Sequence, residues 1–336
     1  MSSTIKDVAQ KAGVSIATVS LVIHDHKRIS DETKKKVIDA IKDLNYHPSH
    51  SARGLVSKKS GNIGFLLTED HFLRSEPFYT NIFLGTEFEA RQSENYILLT
   101  TISSDFSETD KLPRFVLEGN VDGIIVAGKV PESLILQLDL YGIPLVFVDY
   151  LPSVEDKYSL VLIDNIAGGS MAVRHLIERG HKNIGFIGGD IRHPSIYERF
   201  HGYKFALDQA GLSYDDSNYC IDEDYPNREC GYSAAKKLLD KNKNITAIFT
   251  CNDAMAIGVM QYLKENKIRI PNDIALIGFD NVDSCQTMET SLTSIAVPKL
   301  EMGIESFKLM TEILNNKIKI NKKVLMPVEL VKRSST

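Results

Sequence analysis

The sequence predicts a two-part molecule: a small all-α unit at the N-terminus, then a larger α/β body of two doubly wound lobes with parallel sheets. Three observations predict it. Short helical periodicities fill the first sixty residues and then stop. From Asn62 onward, apolar strand-like runs alternate with helical ones. Charge is divided unevenly: residues 1–60 carry 11 Lys and Arg against 6 Asp and Glu, yet the 336-residue chain as a whole has net charge −5. A small basic segment on an acidic body implies an anionic partner touched by one end of the molecule.

In the basic segment, Thr4-Ile5-Lys6-Asp7 has the pattern that satisfies free amides at a helix start. Ile5, Val8, Ala9 and Ala12 recur at helical spacing, and Gly13 ends the run. Ser15 caps a second short helix. Its Val19 and Val22 face inward, while Ser15, Ile16, Ala17, Thr18 and Ser20 offer small outward groups. A third helix starts near Ser30-Asp31-Glu32, with Val37, Ile41 and Leu44 as its inner stripe. Helices of about two turns do not stand alone in water and persist by packing on one another. Two such helices joined at a glycine turn and braced by a third form a helix-turn-helix, whose small-residue second helix can sink into a DNA major groove. A helical dock for another protein is the alternative at this point.

The next stretch, YHPSHSARGLVSKKSG, is basic and rich in turn residues, as a tether would be, yet holds Leu55 and Val56. In the body, NIGFLLT, YILLTTI, VDGIIVAG and PLVFVDY form a first set of strands, and NIGFIGG, ITAIFTCN and IALIGFD a second. Helical stretches lie between them, as at 80–93, 166–180, 199–211, 227–241 and 254–266. Continuous rather than alternating hydrophobicity fits parallel strands covered on both faces. Ligands in such folds lie beyond the carboxyl ends of the strands, here in a cleft between the lobes.

No run of 18 apolar residues indicates a membrane span, and the first residues have no apolar core for a secretory signal. The four cysteines show no CxxC pair and no metal spacing, so the expectation is a cytoplasmic protein with idle thiols. There is no G-x-S-x-G elbow, no P-loop and no full G-x-G-x-x-G. No cofactor, metal or catalytic dyad is expected. His24 and His26, either side of Asp25, are read as solvated charge.

DVAQKAGVSIATVS, ISDETKKKV and LNYHPSHSARGL occur in the order and spacing of a known DNA-binding headpiece. Over about residues 4 to 57 the chain resembles the lactose-repressor family of bacterial transcription regulators. The resemblance continues through Asp164-Asn165, HLIERGHKNIGFIGG, Arg199 of ERFHGY, CNDAMAIG, IPNDIALIGFDN, SLTSI and VELVKRSST. It implies a sensor domain similar to periplasmic sugar-binding proteins. It also implies that the segment after the third helix is a hinge helix ordered on operator DNA, with Leu55 wedged into the minor groove and Arg53 and Lys58 along phosphates. Gly54 weakens that helix, by about 0.5–1 kcal/mol relative to Ala, making it more conditional on DNA. Two positions depart from the family's usual residues: Leu21 stands for an arginine and His24 for an asparagine. Ile16 and Ala17, at the base-reading positions, offer thymine methyls a contact but cannot donate to guanine.

The implied organisation is a headpiece over 1–47, a hinge and linker over 48–61, and an effector-binding and dimerisation domain over 62–336. One lobe is expected over about 62–162 and 294–324, the other over about 163–293 and 325–336. Expected DNA contacts are Thr4, Ser15, Ile16, Ala17, Thr18, Ser20, Leu21, His24, Ser30, Ser51, Ala52, Arg53, Leu55 and Lys58. Expected effector contacts are Glu69, Asp70, Phe78, Tyr79, Asp149, Asp164, Arg199, Tyr225, Asn252 and Asp280. Carboxylates that accept hydroxyl hydrogens, an Arg fork and aromatic faces suit a polyhydroxylated, sugar-like ligand. The expected molecule is a homodimeric repressor on a near-palindromic operator, controlled by a small molecule. A solute-binding protein, a sugar-processing enzyme, and a regulator answering to a protein co-repressor are the alternatives.

Overall fold

The computed structural model describes residues 3–23, 29–46, 60–72, 77–93, 95–221, 226–317 and 320–336. The chain divides into two compact units, Met1–Gly61 and Asn62–Thr336.

Among its described residues the first unit holds three helices, α1 (Ile5–Ala12), α2 (Ile16–Ile23) and α3 (Asp31–Asp43). Thr4 caps α1 through a reciprocal pair with Asp7, and Gly13 closes it at φ +66°, where a side chain would be strained. Ser15 Oγ accepts from the Thr18 amide at 3.1 Å, and Ser30 Oγ accepts from the Thr33 amide to start α3. Val8, Ala9, Val19, Val22, Val37, Ala40 and Tyr46 form one small core. Each helix therefore depends on the other two for its apolar partner.

The second unit contains two six-stranded sheets. The chain first lays down β1 (Asn62–Thr68), α4 (Glu69–Phe72), α5 (Phe78–Gln92), β2 (Tyr96–Ile102), α6 (Arg114–Leu117), β3 (Gly123–Ala127), α7 (Glu132–Leu140), β4 (Leu145–Val148) and β5 (Ser159–Ile163). It then crosses to α8 (Asn165–Glu178), β6 (Ile184–Gly188), α9 (Pro194–Gln209), β7 (Tyr219–Ile221), α10 (Arg228–Lys241), β8 (Ala247–Thr250), α11 (Asp253–Glu265), β9 (Ala275–Asp280), α12 (Ser284–Thr287) and β10 (Thr293–Ala296). It returns for α13 (Lys299–Leu314) and β11 (Lys323–Met326), and crosses a last time for β12 (Glu329–Val331).

The sheet orders are β11-β5-β4-β3-β1-β2 and β12-β10-β9-β8-β6-β7. Every pairing is parallel except β10 with β12. Leaving out the late strands β11 and β12, both sheets have one doubly wound order, and it reverses at β1/β3 and at β6/β8. The crossings differ from the expected lobe limits by a few residues. Ile163 completes β5, all of β10 pairs with β9, and Leu325 and Met326 pair with β5. Ladder pairing completes each strand before the chain leaves its sheet, so the second and third crossings fall at 297–298 and 327–328.

The helices α5 and α13 cross closely in the first lobe. A Cβ on Gly85 would stand 2.0 Å from the Leu300 carbonyl oxygen, and one on Gly303 2.0 Å from that of Ile82. Thr86 Oγ1 adds hydrogen bonds to the Ile82 and Gly303 carbonyls. The outer face of the same sheet is packed by Val116, Leu134 and Leu138. Among the described residues no helix is long and apolar enough to cross a membrane.

Candidate effector cleft and nucleic-acid face

On α2, Ile16, Ala17 and Leu21 are exposed and Ser20 is half-buried, opposite the buried Val19 and Val22. This outward face is apolar and hydroxylic. Thr4, Ser15 and Ser30 use their hydroxyls as helix caps, and the Thr18 hydroxyl lies 2.9 Å from that of Ser15. These caps fix the start of each helix and so help to place the face. The expected contacts His24, Ser51, Ala52, Arg53, Leu55 and Lys58 lie outside the described residues.

In the second unit, the carboxyl ends of both sheets converge on a cleft of about 320 Å³. Of the ten expected effector contacts, Asp70, Phe78, Tyr79, Asp149, Arg199, Asn252 and Asp280 line it. Glu69 instead lines a neighbouring crevice with Thr101, Asp105 and Asp110. The Asp164 carboxylate is turned back on its own helix, accepting from the Ala167 amide at 2.8 Å as the cap of α8. Tyr225 lies outside the described residues.

In the second lobe Arg199 organises the wall. It is 5% exposed, lies 3.8 Å over the Phe279 ring, and donates Nε to Asn165 Oδ1 (2.8 Å) and Nη1 to the Cys251 carbonyl (2.7 Å) and Asp280 Oδ1 (3.4 Å). Among the described residues its Nη2 makes no hydrogen bond, leaving one arm of the fork for a ligand. Asn252 caps α11 through the Met255 amide and donates to the Pro226 carbonyl. Asp280 ends β9 at φ +102°, a conformation that costs a non-glycine residue free energy and persists only when its surroundings enforce it.

Behind this turn lies Asp253, which is completely buried. Its carboxylate accepts from the Val282 amide (2.9 Å), Ser294 Oγ (2.7 Å) and Cys285 Sγ (3.2 Å). Burial, and then the neighbouring Asp280 carboxylate, push the Asp253 pKa up to about 7, against the hydrogen bonds from Ser294, Val282 and Cys285. Only glycine fits opposite it, because a Cβ on Gly278 would stand 2.0 Å from Asp253 Oδ1.

The first lobe faces this wall with Tyr79, Asp149 and His71. Tyr79, in the first turn of α5, donates to Asp149 Oδ2 at 2.9 Å, and its ring lies 4.6 Å from that of His71. Asp149 follows β4 at φ +56°. Gly128, at φ +74°, leaves room for both side chains: a Cβ there would be 2.6 Å from the His71 ring and from the Tyr79 hydroxyl.

Several lining residues were not among the expected contacts: His71, Ser104, Lys129, Asp190, His193 and Ser195. A signal was present for three of them. Ser104, Lys129 and Asp190 each stand two residues beyond the end of a strand, the place where the rule of carboxyl ends puts a ligand. Asp190 is held below the ordinary carboxylate range. Burial works to raise it, but hydrogen bonds from Arg192 and the charges of Arg192 and Lys129 outweigh that.

Two family models match the chain. Residues 4–49 match bacterial regulatory proteins of the lacI family, and residues 173–336 match the periplasmic binding protein-like domain. Catabolite control protein A of Priestia megaterium is 34% identical over 338 residues, covering 100% of both chains. The chain belongs to the LacI family of bacterial transcription regulators. Another relative, the HTH-type transcriptional repressor PurR of Vibrio atlanticus, is 34% identical over 99% of this chain and 98% of its own. Among solved structures, the transcriptional regulator CelR in complex with cellobiose superposes with a TM-score of 0.75 at 29% identity, covering 99% of this chain and 100% of that one. The lac repressor dimer bound to operator and the anti-inducer ONPF has the same fold, with a TM-score of 0.81 at 24% identity over 100% and 99% of the two chains. These LacI-type relatives are transcription regulators, and the helix-turn-helix face and the cleft are this chain's counterparts of a DNA-binding headpiece and an effector-binding domain.

Proposed function

We propose that this protein is a repressor that binds a near-palindromic operator as a homodimer and is controlled by a sugar or related small metabolite in the cleft. The observation that carries the reading is the convergence of polar groups from both lobes on one cleft, Arg199 with Asp280 on one wall and Tyr79 with Asp149 on the other. Carboxylates and a partly free guanidinium suit hydroxyl-rich ligands, and the rings of Phe78 and Tyr79 suit their C–H faces. The CelR structure holds cellobiose, and a LacI-family regulator of Enterococcus faecium holds ribose. The relatives named PurR keep purines among the candidates. We assign the roles of headpiece to residues 1–47, hinge to 48–61 and sensor to 62–336. Tyr96 and Leu99 on the edge strand β2, with Leu84 and Phe88 on α5, are exposed apolar groups suited to a second copy. The protein works by binding and not by turnover, in keeping with its regulator relatives.

Linkage makes the test reciprocal: an effector that changes DNA affinity must have its own affinity changed by DNA by the same factor. DNA recovered by selection from a random pool on the full chain would be titrated with and without cellobiose, ribose and hypoxanthine, with thermal shifts recorded on the same samples. We expect one compound to raise the melting temperature and to move the DNA affinity by about 5–150-fold. No shift with any compound overturns the small-molecule reading. Separately, Leu55→Ala is expected to weaken binding to the selected DNA far more than to unrelated DNA; equal losses overturn the wedge.

A further inference from the structure

Lys299 is the first residue of α13, immediately beyond the crossing at 297–298. Its backbone belongs to the first lobe, because α13 is seated on α5 through the close contacts at Gly85 and Gly303. A cation at the start of a helix faces the positive end of the helix dipole, so local electrostatics disfavour it there. The side chain leaves that position. Nζ donates to the main-chain carbonyl of Asp280 at 2.5 Å and to that of Asn281 at 3.4 Å, both in the second lobe, and lies 5.9 Å from the ring of Phe78 on the cleft wall.

The turn it holds is itself firmly fixed to the second lobe. The Asn281 amide donates to Ser294 Oγ (3.0 Å), which donates on to Asp253. The Val282 amide donates to Asp253, and Arg333 Nη2 donates to Asn281 Oδ1 at 2.7 Å. Lys299 therefore joins a rigid part of one lobe to a rigid part of the other, at the peptide of a residue whose carboxylate faces the cleft. Any rotation of the lobes changes the distance from Nζ to that carbonyl.

We propose that Lys299 is an interlobe tie: it sets the resting angle of the cleft and transmits a change at Asp280 to the first lobe. It is a positioning residue and does not need to touch the effector. The second half of the proposal rests on the reading of the cleft as the effector site; the first half does not.

The test uses the full chain without effector. Spin labels on keto side chains introduced at the exposed positions Glu108 and Lys236, one in each lobe, avoid the native cysteines. Dilution with unlabelled chain restricts the readout to distances within one protomer. Lys299→Met is expected to give a longer and broader distance distribution, and Lys299→Arg, which keeps cation and reach, the parental one. An unchanged distribution in Lys299→Met overturns the proposal, and a lowered melting temperature beside that unchanged distribution identifies an ordinary structural cation. If Lys299→Met does not melt cooperatively, Lys299→Gln is measured in its place and judged by the same two outcomes. Because no effector is added, an empty result in the compound titrations and a failure of the tie are read independently.

Discussion

The two lobes of the body follow one winding order but use it for different chemistry. In each, a helix between the first two strands reaches the carboxylate at the end of the fourth. In the first lobe that contact is Tyr79 to Asp149, a neutral hydroxyl donating at 2.9 Å. In the second it is Arg199 to Asp280, a buried ion pair at 3.4 Å with a second carboxylate, Asp253, behind it. Both aspartates sit at positive φ, +56° and +102°. A charged, interlocked wall is expensive to alter, since every buried charge depends on its partners. A contact made by a neutral hydroxyl, as at Tyr79, is cheaper to exchange. On the proposed reading of the cleft, the second lobe would anchor the ligand and the first would select among ligands.

The strongest way to break this contrast is Arg199→Met. It removes the buried guanidinium paired with Asp280, so we expect a loss of about 3–5 kcal/mol in stability, read by urea denaturation. Retention of parental stability would mean that the second wall is no more interlocked than the first. The next effect concerns pH. The folded pKa of Asp253 is raised to about 7 from an ordinary 3.8, so the folded state binds the extra proton between those values. Its contribution to stability is fully present below about pH 4 and is lost as pH rises to about 7, with a slope of at most about 1.4 kcal/mol per pH unit. Melting of Asp253→Asn across that window should lack this slope, and a variant with the parental slope would assign it elsewhere. The smallest effect is expected from Tyr79→Phe. Removing one hydroxyl donor from Asp149 should cost about 1 kcal/mol while shifting preference among cleft ligands. An unchanged rank order of ligands would remove selection from the first lobe.

Much of this was legible in the sequence, and the reasons differ by element. Thr4, Gly13, Ser15 and Ser30 mark helix ends through local backbone chemistry, so the headpiece helices could be placed directly. The central strands β1, β3, β4, β6, β8 and β9 announce themselves as apolar runs. The short β7, β10, β11 and β12 do not, because three or four residues of mixed polarity carry no period, and their pairing depends on distant chain. Helix α9 begins at Pro194, five residues before the expected start, with proline in the first turn where its missing amide is not needed. In the cleft, Arg199 and Asp280 followed from motif and strand ends. Asp253 and Lys299 did not, since one acts from a buried position behind the wall and the other across a chain crossing. Asp164 shows the converse: a carboxylate at the right place in sequence whose geometry uses it as a helix cap.

The late return of α13 and β11 to the first lobe has a consequence for the order in which the protein can be made. Residues 62–163 emerge from the ribosome with α5 lacking the helix that packs against Gly85, and with one side of β5 open. That partner lies more than a hundred residues further along the chain, beyond five of the six strands of the second sheet. Domains generally fold as units during synthesis, N-terminal first. Here the lobe that begins first must wait, and the second lobe has nearly its full set of strands while the first still exposes apolar surface. During translation the first lobe thus keeps apolar surface exposed for longer than the second, and the chain's early segment acquires its final partners only as synthesis closes.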